Sequence, residues 1–259
     1  YCMRWSVPEE QEDGWIRYRR EYAAPTKEDF LQEAKVLKEV EKRFSDWQSK
    51  GFIPSAPVMP GDETTRLQRE RGWTHWHHLF LPRQLLLAGL FVEKVFGGAT
   101  VCDETKATAL LTAGRFADWN SKLCIWNHHP GKANLQNTFL NQALNTSVVF
   151  GARGSNYCKS LLPCFEPAGD ATGAVSAADA RDIKYKADLW ITDPAYADAV
   201  NYGELGEFFL AWYEKLLPSV FPDWSVKSAR DEELSGSDHN FRIGMRDCYK
   251  RFAENMPDN

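Results

Sequence analysis

The sequence predicts an α/β protein with a large, mostly helical insertion. Apolar residues recur at three- and four-residue spacing over most of residues 26–154. Two short apolar runs, 174–177 and 189–192, are bounded by polar residues, as buried strands are. Two more helical stretches follow them. The chain has 259 residues, the size of one large domain or two small ones. At 43% hydrophobic and 26% charged it has a globular composition. No apolar run approaches the length of a membrane span, so no membrane partner is expected.

In chain order, residues 1–22 are polar and aromatic. Thr26 is a good N-cap, with Asp29 three residues on. Phe30, Leu31, Ala34, Leu37, Val40, Phe44 and Trp47 then mark a helix that Gly51 ends. GFIPSAPVMPGDE, with three prolines, reads as an extended linker. Pro82 opens a helix through Leu90 and Val95, stopped by Gly97-Gly98. Asp103 caps the next, which runs through Leu110 and Phe116 towards Leu123. NHHPGK at 127–132 is a turn cluster, and 135–150 resumes helical spacing. FEPAGDATG is a loop, and helices are expected over 203–217 and 241–255. The expected segments are 1–60, a lead-in and linker; 61–165, a helical region suited to target recognition; and 166–259, a core.

The net charge of −5 argues against nucleic-acid binding through bulk charge, though not against one local basic groove. Ten Trp are about three times common usage, from core packing or from stacking surfaces. The six Cys never stand in C-x-x-C spacing, which points to free thiols in a reducing cytoplasm. Cys2 is a conceivable last ligand of a metal site beginning upstream. The Tyr1 start and the absence of a leader lead us to expect a piece of a longer cytoplasmic protein.

The sharpest segment is ADLWITDPAY, residues 187–196, an apolar run leading into Asp193-Pro194-Ala195-Tyr196. Ligands of open α/β sheets bind at the carboxyl ends of strands. Pro194 stiffens the turn and biases Asp193 towards extended backbone. A carboxylate, a carbonyl and an aromatic plane suit an amino group on a base lifted from a duplex. A plain strand-ending turn is the simpler alternative.

This tetrapeptide resembles the Asp-Pro-Pro-Tyr of amino-methylating DNA methyltransferases, with Ala195 in place of the second proline. With WITDPAYADAVNYGELGEFFLAWYEKLLP, RGWTHWHHLFLPRQLLLAGL and RFADWNSKLCIWN, the chain from about Pro60 to Asn255 resembles the large bacterial adenine-specific DNA methylases of the DUF1156 type, which carry a zinc-ribbon segment. The resemblance implies a partial Rossmann-like fold and direct methyl transfer from S-adenosylmethionine to adenine N6, often in restriction–modification. It implies catalytic roles for Asp193, Pro194 and Tyr196, and DNA as partner, with no metal needed for the step. Asp179, after the first apolar run, is the candidate contact to the cofactor's adenine, or else a turn cap. The glycine loop such enzymes need is not convincingly found. Phe96-Gly97-Gly98 reads as a helix end, and Val149–Gly154 (VFGARG) leaves too little chain before Asp179. The loop is expected upstream.

Arg66, Arg69, Arg71 and Arg83, interleaved with Trp73 and Trp76, suit phosphate contact with base stacking, or equally a solvated helix face. In THWHH, His75, His77 and His78 suit DNA contact or packing beside the tryptophans better than a metal, since no Cys or carboxylate stands at a supporting spacing. Lys132 lacks the context of a P-loop. Asn201, Tyr202 and Glu204 either line the Asp193 pocket or serve packing and capping. Cytosine N4 methylation and a non-catalytic recognition or assembly part remain as alternatives, and protein-glutamine methylation would want Asn at 193.

Overall fold

A computed structural model describes residues 2–5, 9–10, 16–17, 20–98, 101–127, 135–145, 147–148, 173–176, 178–194, 200–224, 226–228, 230, 233–234 and 239–257, through residue 22 as backbone only. It opens on a nested antiparallel hairpin. Strand β1 (Cys2–Trp5) pairs with β4 (Arg20–Ala23), and β2 (Glu9–Glu10) pairs with β3 (Ile16–Arg17) between them.

Helix α1 (Lys27–Lys50) starts where its cap predicts. The Asp29 carboxylate accepts from the Thr26 N–H at 2.8 Å, and Gly51 closes the helix in the left-handed region at φ 78°. Val40 and Trp47 are buried, but Phe30 and Leu31 are 65% and 52% exposed. Both precede Glu33, which pairs with Arg83 near the start of α3 (Pro82–Phe96), so the first turn of α1 lies beyond that contact.

The expected linker is instead core. Phe52, Ile53 and Val58 are at most 4% exposed. Proline denies this stretch a ladder, yet the residues that keep their N–H still bridge. Val58 N–H donates to the Thr74 carbonyl, while the Ala56 carbonyl accepts from Trp76 N–H. The short α2 (Thr64–Arg71) and a 3₁₀ turn at Trp76–Leu79 lead into α3. Helix α4 (Asp103–Asn120) follows, with Cys102 rather than Asp103 at the N-cap position.

Residues 135–148 overturn the helical reading in their described part. β6 (Leu135–Gln136) pairs antiparallel with β5 (Ile125–Trp126), and turns follow. Thr138 is the cause: its N–H and hydroxyl both donate to the Asp118 carbonyl, at 2.7 and 2.6 Å, pinning the chain to the end of α4. The turn cluster falls largely, and VFGARG and most of FEPAGDATG fall wholly, outside the described residues.

Helix α5 (Tyr202–Tyr213) and a 3₁₀ turn at Leu217–Ser219 precede α6 (His239–Glu254). α1 packs on α3, α3 on α4, and α4 on α5. Their shared core includes Trp47, Ile53, Leu67, Trp76, Phe80, Phe116, Phe208 and Trp212. Side chains from all three expected segments meet in it. Glu204 of α5 accepts directly from the backbone of the 59–64 segment, and Glu207 reaches it through Arg230, whose guanidinium bonds Glu207 and the Pro60 carbonyl.

The two expected strands do not form. Residues 174–176 and 189–192 carry no strand, and Val175, Leu189 and Ile191 are 76%, 68% and 87% exposed. A strand exists only against a partner. Among the described residues every sheet is two-stranded and antiparallel, and none includes these runs. No described helix is long and apolar enough to cross a membrane.

Gly89 marks a close approach in the helical core. A Cβ there would fall within the Trp47 indole, which is fully buried and donates to Glu93 at 3.1 Å. Gly89→Ala is expected to destabilise the fold by about 1–3 kcal/mol through overpacking, despite the better helix propensity of alanine. Urea denaturation followed by tryptophan fluorescence measures it.

Candidate functional site

A cavity of about 260 Å³ lies beside α6, bounded by Ala180, Thr192, Asp193, Pro194, Leu234, Met245, Cys248, Tyr249 and Phe252. Its wall is a helical stripe: Met245, Cys248, Tyr249 and Phe252 stand at i, i+3, i+4 and i+7 of α6. Segment 181–190 is fastened to the end of that helix. Arg251 donates to the Arg181 carbonyl at 3.2 Å, Ala187 N–H donates to the Asn255 carbonyl at 3.1 Å, and Trp190 stacks on Phe252 at 5.0 Å. With Trp190 held inward, Leu189 and Ile191 project to solvent, and the chain returns to the cavity at Thr192-Asp193-Pro194.

The structure therefore brings Asp193 and Pro194 to the rim of an apolar, aromatic-walled slot. Both are exposed, and Tyr196 lies outside the described residues. Ala180 places the neighbouring turn on the same slot. Asp179 itself caps that turn: its carboxylate accepts from the Arg181 N–H at 2.8 Å and from the Arg181 guanidinium at 2.9 and 3.0 Å. Those hydrogen bonds hold the Asp179 carboxyl below its usual range. Burial, and then the Asp179 charge, push the Cys248 thiol up, so the sulfur meets the slot as a neutral wall atom. Asp193 is the acidic side chain at the rim of this otherwise apolar slot. α6 was read from the sequence only as a helix, although the spacing of its four wall residues marks the stripe.

The proposed nucleic-acid residues do not share one surface role. Trp76 is 2% exposed, with its ring edge-on to Phe208, so no base can stack on it in this fold. Trp73 is half-buried with the Lys122 ammonium 5.1 Å from its ring centre. Arg66 bonds the Leu144 carbonyl at 2.7 Å and Arg83 is paired with Glu33, so both do structural work. Arg69 and Arg71 are exposed, Arg69 beside Glu70.

His75, His77 and His78 form a cluster of rings 4.4 to 5.7 Å apart. His77 also sets its edge against Phe44 of α1. Burial, and then repulsion from His78, His75 and Lys122, push His77 down to about 4 from the ordinary 6.5. The folded state therefore binds fewer protons than the unfolded chain between these values. The resulting stability is complete above about pH 6.5 and is lost as the pH falls towards 4. His77→Phe keeps an aromatic ring against Phe44, and we expect it to shrink the fall in Tm over that interval. An unchanged slope in scanning calorimetry would contradict the assignment. Among the described residues no group of three or more His, Cys, Asp or Glu is arranged to hold a metal ion.

Comparison with protein-family models finds no match to this chain, and neither the curated proteins nor the solved structures give a significant one.

Proposed function

We propose that the chain carries the amine-binding part of a DNA methyltransferase that modifies adenine at N6. The observation that supports this reading most directly is Asp193-Pro194, from a tetrapeptide resembling the amino-methylating motif, at the rim of an aromatic-walled slot. In this reading the Asp193 carboxylate and the Pro194 carbonyl accept the two N–H bonds of the exocyclic amine. They orient its lone pair and stabilise the positive charge that grows on nitrogen. The flipped base lies against aromatic side chains, Tyr196 among them. S-adenosylmethionine would supply the methyl group, but the described residues do not make its site. Asp179 is saturated by Arg181.

That saturation favours a second reading, a recognition or assembly part without catalysis. One assay separates the two. The full natural polypeptide is incubated with methyl-tritiated S-adenosylmethionine and unmethylated duplex DNA, and the nucleosides are then resolved. Tritium in 6-methyladenine is the expected result. Label in 4-methylcytosine assigns the cytosine amine, and DNA binding without label leaves the second reading.

A further inference from the structure

Apart from the His77 contact with Phe44, the histidine cluster between α2 and α3 is used neither by the slot nor by the core, and its hydrogen bonding defines what it can hold. His78 Nδ1 accepts from the Thr74 backbone N–H at 3.1 Å. A backbone amide cannot reverse its role, so the neutral ring carries its proton on Nε2. His77 Nδ1 lies 3.3 Å from Gln48 Nε2, which also donates to the Pro54 carbonyl at 2.9 Å. That second bond fixes the amide, because a flipped Gln48 would face the Pro54 carbonyl with its own oxygen. His77 is thus held in the same tautomer. His75 joins the group with its Nδ1 3.0 Å from the Thr74 hydroxyl. No described residue bonds Nε2 of any of the three.

This tautomer decides between ligand classes. A metal at Nε2 needs the lone pair there, which would move the proton to Nδ1 and set it against the Thr74 N–H. An Nε2–H is instead a donor. Two fixed donors, a third imidazole and the Lys122 ammonium beside them make a group with donors and positive potential. Lys122 is itself held by the His78 carbonyl at 2.7 Å. The influences on His77, His78 and Lys122 are burial and positive neighbours, with no carboxylate among them. The complement is an acceptor-rich anion.

We propose that His75, His77, His78 and Lys122 form a phosphate-recognition site, taking either a free phosphate or the phosphodiester of a nucleic-acid backbone. The imidazoles and the ammonium donate to the phosphate oxygens, and Trp73, under Lys122, lies beside them. Only the nucleic-acid source leans on the methyltransferase reading; the anion chemistry stands without it.

Histidine-selective ¹⁵N NMR on the full chain at neutral pH tests this directly. Inorganic phosphate should shift the Nε2 resonances saturably, with a dissociation constant of about 1 mM, as expected of a few half-exposed hydrogen bonds. Lys122→Gln keeps a donor for the His78 carbonyl and removes the charge, and should weaken binding about fivefold. His75→Gln should do the same without touching the Lys122 contact. Retained thermal unfolding shows that each variant folds. Shifts that sodium chloride reproduces at matched ionic strength, or that both variants leave intact, overturn the site. A short DNA duplex that moves the same resonances identifies backbone phosphate as the source. A duplex that leaves them unmoved while phosphate shifts them identifies free phosphate. Methylated adenine is scored separately, so either idea can fail alone.

Discussion

Glu204→Ala is expected to cost about 3–5 kcal/mol of folding stability, the range for breaking a buried, hydrogen-bonded charge. Glu204 is 7% exposed, and its carboxylate accepts from the backbone N–H groups of Asp62, Glu63 and Thr64 at 2.7, 2.9 and 3.0 Å. It also accepts from the Thr64 hydroxyl at 3.2 Å. These donors lie at and just before the start of α2, which no local side chain caps. The dipole of α2 and the Arg230 guanidinium, 4.0 Å away, favour the negative charge. Alanine would leave three amides without their acceptor and remove the negative charge beside Arg230, inside the contact that joins α5 to the 59–64 segment. Glu204→Gln should fall between the two, since it keeps one acceptor but turns an N–H towards those donors. Urea denaturation of the three proteins gives the order. A loss below about 1 kcal/mol for alanine would mean that water replaces the carboxylate and that the cap is not structural.

The contrast between Glu204 and Asp193 explains which parts of this protein can be read from its sequence. Helices α1, α3, α4, α5 and α6 were all expected at close to their observed bounds. Their signals are local: Thr26 with Asp29, Pro82, Gly97 after Phe96, and apolar spacing within each helix. The role of Glu204 depends on amides some 140 positions away, and no local pattern reports it. Residues 52–58 fail for the same reason. Three prolines mark a linker locally, while the burial of Phe52 and Ile53 comes from the shared core they join, whose other members lie far along the chain. The reading of 189–192 as a buried strand erred through an assumption about partners. Alternation of Trp190 with Leu189 and Ile191 is real, but one side chain is held by Phe252 and the other two face solvent. Asp193 and Asp179 both stand out in the sequence; Asp193 lines the α6 slot, and Asp179 stands next to Ala180, which lines it. Asp179, however, adopts the turn-capping role, because Arg181 two residues on supplies every donor it needs.

Asp193→Ala is the change with the largest expected effect on activity. In the full natural polypeptide, N6-adenine methylation should fall about 10²–10³-fold, the typical loss of one group aimed at charge developing in a transition state. The loss should lie in kcat. The ground-state amine is neutral and the nitrogen becomes positive only as the new bond forms, so the carboxylate's attraction grows along the reaction. KM for DNA should stay near the wild-type value, because phosphate contacts elsewhere dominate duplex affinity. Asp193→Asn separates charge from shape. It keeps a carbonyl acceptor for one amine proton but removes the negative charge, and should recover only a small part of the rate. Asp193 is exposed and, among the described residues, makes no structural bond comparable to those of Glu204, so thermal unfolding of both variants should match the parent. If alanine leaves the methylation rate unchanged, Asp193 is a turn residue beside the slot and not a catalytic one. If kcat holds while KM for DNA rises, it contributes to holding the base and not to the chemical step.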